Sequence, residues 1–349
     1  MGIYASGRIE ADSAVRNWLK VGMALIALMV LVGGITRLTE SGLSMVDWKP
    51  ISGTLPPLNE AEWQASFEMY KESPEFKDLN SHFSLGDYKK IFFWEYLHRL
   101  LGRLIGIAFL VPFLYFLIRR KISKRLLPLL LLLLGLGAFQ GVLGWYMVKS
   151  GLVNIPKVSH YRLAAHLCTA FLTISYVYWL LMRTSWQPKI RNLENAKSIR
   201  RWTLILLGTV FLQIIYGAFV AGKDLGLIHN TWPSMDGYFF HPAASGVKPF
   251  YMNFLINNSM IQFVHRTLGI LLFFMVLGIW LDLRKSGTEA LIKLGRYLLL
   301  VVFVQFILGV LNLIWHVPIV LGVLHQFMAL VLLLLSVQLL YRRNFIQPA

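Results

Sequence analysis

Eight long apolar stretches constrain this chain more than any other feature. They lie at roughly 17–36, 92–118, 127–148, 162–182, 201–222, 257–283, 293–314 and 318–340. A helix rises about 1.5 Å per residue, so about 20 mainly apolar residues cross the hydrocarbon layer of a bilayer. No stretch alternates with period two, as the strands of a membrane barrel would. Composition points the same way: 56% of the 349 residues are hydrophobic and 15% are charged, against about 25% charged in soluble domains. A soluble core of this size cannot hide so much apolar surface. The reading is an all-α integral membrane protein with eight transmembrane helices.

The net charge of +17 does not indicate nucleic acid, because the cations sit in short clusters between the apolar stretches. Arg119, Arg120, Lys121, Lys124 and Arg125 follow the second stretch. Arg183, Lys189, Arg191, Lys197, Arg200 and Arg201 lie between the fourth and fifth. Arg284, Lys285, Lys293 and Arg296 lie between the sixth and seventh, and Arg342 and Arg343 end the last. The alternate side holds a long loop, about 37–91, with nine acids and six bases and with Pro50, Pro56 and Pro57. Basic links mark the cytoplasmic side, so both termini are expected there and the long loop outside. The first sixteen residues are polar, carry Arg8 and Arg16, and run into a full span rather than a cleavable signal. The single cysteine, Cys168, lies inside an apolar stretch, so no intrachain disulfide forms.

The chain also repeats itself. Trp94-Glu95-Tyr96-Leu97-His98-Arg99 with Gly102 matches Ile261-Gln262-Phe263-Val264-His265-Arg266 with Gly269, at a constant spacing of 167. Gly33, Glu40, Gly42-Leu43 and Trp48 match Gly217, Asp224, Gly226-Leu227 and Trp232 at a spacing of 184. The fourth stretch holds His166 and the eighth holds His325. Two pseudo-symmetric four-helix bundles, 1–185 and 186–349, related by an axis along the membrane normal, are expected.

Of nine histidines, His82, His229 and His241 fall in loops and read as polar surface. His160 and His316 fall near span starts and read as interfacial. His98, His166, His265 and His325 lie within spans, each within about two turns of its start, and therefore at similar depth. Two facing imidazoles at one depth supply both axial ligands of a haem iron. A closed zinc site would gather four ligands, often with cysteine. Arg99 and Arg266 follow their histidines, and an arginine there needs a partner. Haem propionates fit its fork, as does snorkelling to the interface. Arg37, Arg103 and Arg162 are secondary candidates. Gln140, Gln305 and the span glycines read as helix-packing residues.

One asymmetry separates the halves. Glu95 shares a helix face with His98, three residues on, and its counterpart is the neutral Gln262. A carboxylate within a membrane is costly and usually functional. Burial in lipid favours its neutral form, which suits proton transfer near neutral pH. A structural ion pair with Arg99 is the alternative role. On this reading the first half carries the chemistry and the second a resident haem.

The segment Gly33-Gly34-Ile35-Thr36-Arg37-Leu38-Thr39-Glu40-Ser41-Gly42-Leu43-Ser44, with Trp48 and Pro50 behind it, resembles the haem A synthase family. So does Trp94-Glu95-Tyr96-Leu97-His98-Arg99 with Gly102-Arg103. The resemblance covers essentially the whole chain and is closest to the cysteine-free, mitochondrial-like branch, which excludes a mechanism needing loop thiols. It implies oxidation of the C8 methyl group of haem O, through a hydroxymethyl intermediate, to the formyl group of haem A for terminal oxidases. It implies that His98 and His166 bracket the substrate haem with Glu95 near the methyl, and that His265 and His325 hold a resident haem b. It implies Arg266, Arg99 and Arg37 as cofactor-binding residues, an electron acceptor, and a bacterial cytoplasmic or mitochondrial inner membrane. The long loop is expected to cover the substrate site or to dock a partner such as haem O synthase. Nucleic acid is not an expected partner.

Three rival readings make contrasting demands. A dihaem b-type electron-transfer cytochrome explains the histidines and leaves Glu95 without a purpose. A transporter built on repeats would show broken helices lined with charge at mid-membrane. A prenyltransferase making haem O would carry aspartate-rich magnesium motifs, which this sequence lacks.

Overall fold

The computed structural model describes residues 9–46, 54–151, 157–185, 190–191, 196–285, 288–343 and 346–347. Trp48, Pro50, Arg8 and Lys189 lie outside the described residues. Ten α-helices run in chain order: α1 Ser13–Leu38, α2 Glu60–Lys71, α3 Leu85–Ile118, α4 Leu127–Gly151, α5 His160–Ser185, α6 Ala196–Gly222, α7 Asn253–Ile256, α8 Asn258–Arg284, α9 Glu289–Ile314 and α10 Ile319–Arg343. Eight of them, all but α2 and α7, are long and apolar enough to cross a membrane. The protein is a multi-pass integral membrane protein. Among the described residues β1 Ile190–Arg191 pairs in parallel with β2 Ile346–Gln347, and Met235 and Tyr238 form an isolated antiparallel bridge.

The helices begin a few residues before the apolar runs, because polar caps start them. Asp12 accepts a hydrogen bond from the Ala14 N–H at 2.7 Å. Ser84 and Asp87 form a reciprocal capping box ahead of α3, and Asn257 accepts from Met260 N–H ahead of α8. Such caps satisfy amides that no helical carbonyl reaches. α3 therefore has 34 residues, about 51 Å at the helical rise, and its first turns stand clear of the apolar run. On α3, Leu104, Ile107, Val111, Leu114 and Ile118 are 46% exposed or more. Their spacing by three and four makes one outward stripe, as a lipid-facing surface requires.

α1, α3, α4 and α5 pack in a closed cycle, and α6, α8, α9 and α10 pack in a second. α5 and α1 join the second cycle through α6 and α10. Specific bonds tie the joint: the Gln326 amide donates to Val30 O at 2.8 Å, and the Tyr341 hydroxyl donates to Met182 O at 3.0 Å. The largest buried apolar cluster runs across this joint from Val30, Phe171 and Ile174 to Leu206, Leu272, Leu298 and Leu333.

The long loop is not featureless. α2, capped by Asn59, and a π-helical turn at Phe76–Asn80 fold onto the start of α3. Phe67, Tyr70, Tyr88, Ile91 and Phe92 form their own buried core, with Tyr70 and Tyr88 stacked at 5.0 Å. The sequence does not mark α2 as a span, because it has 12 residues and carries Glu60, Glu62, Gln64, Glu68 and Lys71 among its apolar ones.

Candidate haem-binding site

A single cavity of about 1330 Å³ runs through both helix cycles and is lined by His98, His166, His265 and His325. His265 on α8 faces His325 on α10, with ring centres 6.4 Å apart and planes crossed at 70°. Two imidazole nitrogens each about 2 Å from one metal ion put ring centres about 6 Å apart. His98 on α3 and His166 on α5 line the same cavity, near enough to act on each other electrostatically.

Each of these imidazoles lies against a glycine of a neighbouring helix. A Cβ added at Gly33 would stand 3.2 Å from His98 Cε1, and one at Gly217 would stand 3.2 Å from His265 Cε1. One at Gly144 would stand 3.4 Å from His166 Cε1, and one at Gly309 would stand 2.8 Å from His325 Cε1. The repeat that pairs Gly33 with Gly217 and His98 with His265 is thus a repeat of contact. These glycines are cradles for imidazoles, which is more specific than helix packing. The Nδ1 atoms of His166, His265 and His325 are buried without a hydrogen-bond partner among the described residues. Gln213 and Gln305 place their amides 3.5 and 3.3 Å from the Nε2 atoms of His265 and His325. Gln140 instead donates to the His166 carbonyl at 3.0 Å. Buried imidazoles in glycine cradles, with unpartnered nitrogens and, for His265 and His325, metal-compatible spacing, fit haem ligation.

Glu95, 3% exposed, is held on both oxygens. Ser44 Oγ donates to Oε2 at 2.6 Å and Met45 N–H donates to the same oxygen at 2.8 Å. Arg99 pairs with Oε1 and also donates to Met45 O at 3.1 Å. The ion pair weighed as an alternative is therefore present, and the carboxyl sits among donors rather than in an apolar pocket. Gln262 meets the opposite polarity: its Nε2 donates to Leu225 O at 2.7 Å and Ile228 O at 2.6 Å. A carboxylate faces donors in one half and an amide faces carbonyls in the other, so each residue is matched to its own loop.

The arginines are also anchored. Arg266 donates to Thr231 O at 2.9 Å and Ser234 O at 3.2 Å, as well as to His229 O and Gln262 Oε1. Arg37 pairs with Asp224 at 2.7 Å and donates to Ala221 O, tying the end of α1 to the end of α6. Asp224 also receives Lys157 at 2.8 Å. All three arginines still line the cavity, so they fasten its loop-side rim.

Three features went unread in the sequence. His229 and His241 are not scattered surface: with Asp236 they bring ligand atoms within 4.8 Å of one another. His229 Nδ1 lies 2.5 Å from Asp236 Oδ2, and Nε2 lies 2.9 Å from Ser259 Oγ. Gln213 touches a ligand-type histidine. Glu75, taken as a loop acid, lines the cavity and is 5% exposed. His160 packs against Tyr161 and Phe219, with ring centres 3.9 and 5.1 Å away, rather than facing an imidazole.

Fold and site together define a polytopic membrane protein with buried histidine pairs in a shared cavity. The chain belongs to the cytochrome oxidase assembly protein family, whose model matches residues 16–337. It is 47% identical to a protein of Flavobacterium psychrophilum named Heme A synthase, over 96% of this chain and 99% of that one. A Flavobacterium johnsoniae protein of the same name is 44% identical over 95% of this chain and 98% of its own. One from Parvibaculum lavamentivorans is 42% identical over 94% of each.

Proposed function

We propose that this chain makes haem A from haem O, oxidising the C8 methyl group to a formyl group through a hydroxymethyl intermediate. The observation that carries the reading is the asymmetry between two like sites. Both halves offer a glycine-cradled histidine pair and an arginine, but three residues before the first histidine the first half has a carboxylate, Glu95, where the second has the amide Gln262. The cavity also exceeds the roughly 300–1,000 Å³ of ordinary single-ligand pockets, as two large planar ligands require.

Residues 1–185 then form the substrate half and 186–349 the resident-haem half, with both termini on the cytoplasmic side. His98 and His166 hold the substrate haem. His265 and His325 hold haem b, whose chemistry when bound is one-electron transfer. Arg37, Arg99 and Arg266 keep the rim closed and present positive charge to the propionates. The fixed Glu95 carboxylate stands on the face of α3 that carries His98, positioned to take a proton near the reacting methyl. α2 and its turn cap this half, where haem O enters from the membrane or from haem O synthase, and an electron acceptor completes the turnover.

The ion pair between Glu95 and Arg99 favours a second reading, a dihaem b-type electron-transfer cytochrome in which Glu95 is structural. Chromatography of the extracted pigments separates the two, in membranes supplied with haem O. Under the synthase reading the wild-type protein yields haem A or its alcohol precursor, and Glu95→Ala retains haem b but yields neither. A Glu95→Ala protein with undiminished product would sink the catalytic role of Glu95.

A further inference from the structure

One buried carboxyl has no place in the chemistry so far. Glu75 follows α2 and is carried by the loop cap rather than by a membrane helix. It is 5% exposed and lines the cavity with Glu95. The Tyr70 hydroxyl donates to Glu75 Oε2 at 2.9 Å, and the Asn80 amide donates to that hydroxyl at 2.9 Å. Among the described residues no lysine or arginine pairs with it. A structural carboxylate this deep would be expected to have a cation, as Glu95 and Asp224 do. Leu79, four residues on in the same loop cap, lines the same cavity and is 42% exposed, so packing does not seal the wall beside Glu75.

We propose that Glu75 is a second carboxyl of the substrate half, passing protons between Glu95 and water at the loop face. This rests on the function proposed above. The step is a proton transfer alone: the Glu75 acid loses its O–H proton to the Glu95 carboxylate, or receives one from the Glu95 acid, and then re-equilibrates with water. No bond to carbon changes and no electrons move in this step. When the electrons of methyl oxidation leave to a separate acceptor, as proposed above, an equal number of protons must leave the substrate half, and Glu95 is enclosed by Ser44, Met45 and Arg99. Glu40, another acid on this wall, is exposed.

The titration range suits the task. Burial pushes the Glu75 carboxyl up to about 8, with the charges of Glu95 and Glu40 adding and the Tyr70 hydroxyl opposing. The titratable groups facing it are Tyr70 on α2, Glu95 on α3 and Glu40 after α1. Tyr88 and Arg99 of α3 stand behind Tyr70 and Glu95. A carboxyl near 8 holds and releases protons at working pH.

The test follows haem O conversion by the full purified protein across pH 6–10, in wild type, Glu75→Gln and Tyr70→Phe. Glu75→Gln lowers kcat on the order of 100-fold, the low end for a general acid–base group. It leaves KM for haem O within about twofold, and the alkaline change near pH 8 disappears. Tyr70→Phe removes a hydroxyl that stabilises the carboxylate, so the same change moves to higher pH. A merely structural Glu75 would not shift that titration. Wild-type kcat and pH profile in Glu75→Gln would overturn the proposal. If Glu75→Gln does not fold, an unmoved alkaline change in Tyr70→Phe overturns it alone. Absence of haem A from every protein, wild type included, would overturn the underlying function and this proposal with it.

Discussion

An alanine at position 309 strikes one histidine of the second pair without touching its chemistry. The added Cβ would lie 2.8 Å from His325 Cε1, 3.4 Å from Nδ1 and 3.7 Å from Nε2. Ordinary carbon contact begins near 3.4 Å, so the ring must retreat by about 0.6 Å, the difference between 3.4 and 2.8 Å. Helix α9 cannot yield instead, because Leu294, Leu298 and Val302, earlier on the face that carries Gly309, seat it in the core. A ligand set tolerates displacement of about 0.5 Å, and overpacking of this kind costs about 1–3 kcal/mol. Haem affinity of the second half should therefore fall by about 5- to 150-fold. The assay is haem b per protein after purification, from the reduced pyridine complex, with thermal unfolding as a fold control. Gly144→Ala meets His166 only at 3.4 Å and Gly22→Ala meets nothing within 4 Å, so both should keep their full complement. Full haem b in Gly309→Ala, with an unchanged absorption spectrum, would refute the cradle argument.

Other predictions use the same contacts. Gln262→Glu puts a carboxylate against the carbonyls of Leu225 and Ile228; it should destabilise by about 3 kcal/mol or more, read as a lower thermal midpoint. Arg266→Ala frees the carbonyls of His229, Thr231 and Ser234, and limited proteolysis should then cut the 223–252 segment faster than in wild type. Glu75 gives a pH signature in stability. Its folded-state value of about 8 lies above the ordinary 4.5, so its stabilising effect is full below 4.5 and is lost as pH rises through 8. Glu75→Gln should therefore lose less stability than wild type between pH 6 and pH 9, and equal losses would contradict the buried, unpaired carboxyl.

The spans were legible because lipid imposes one simple demand, a run of apolar residues long enough to cross. The histidines were legible because a duplicated helix repeats its functional residue at fixed spacing. What the sequence hid depends on how loops fold back. That Arg99 and Arg266 also hold loop carbonyls and Glu95 was not legible, because no local pattern marks which carbonyls a loop will present. Glu75 looked like one acid among nine because its burial comes from α2 docking on Tyr88 and Phe92. The glycines at 33, 144, 217 and 309 were visible but ambiguous, since a small residue serves helix contact and imbibes no chemistry until an imbedded ring is seen against it. His229, Asp236 and His241 converge only through the turns between them.

The most direct test of the account is the pigment content of four purified histidine variants, from membranes containing haem O. His265→Ala and His325→Ala should lose haem b. His98→Ala and His166→Ala should keep haem b and lose bound haem O, haem A and the alcohol between them. Loss of haem b from the His98 or His166 variants, with haem b kept in the His265 and His325 variants, would contradict the division of labour between the halves.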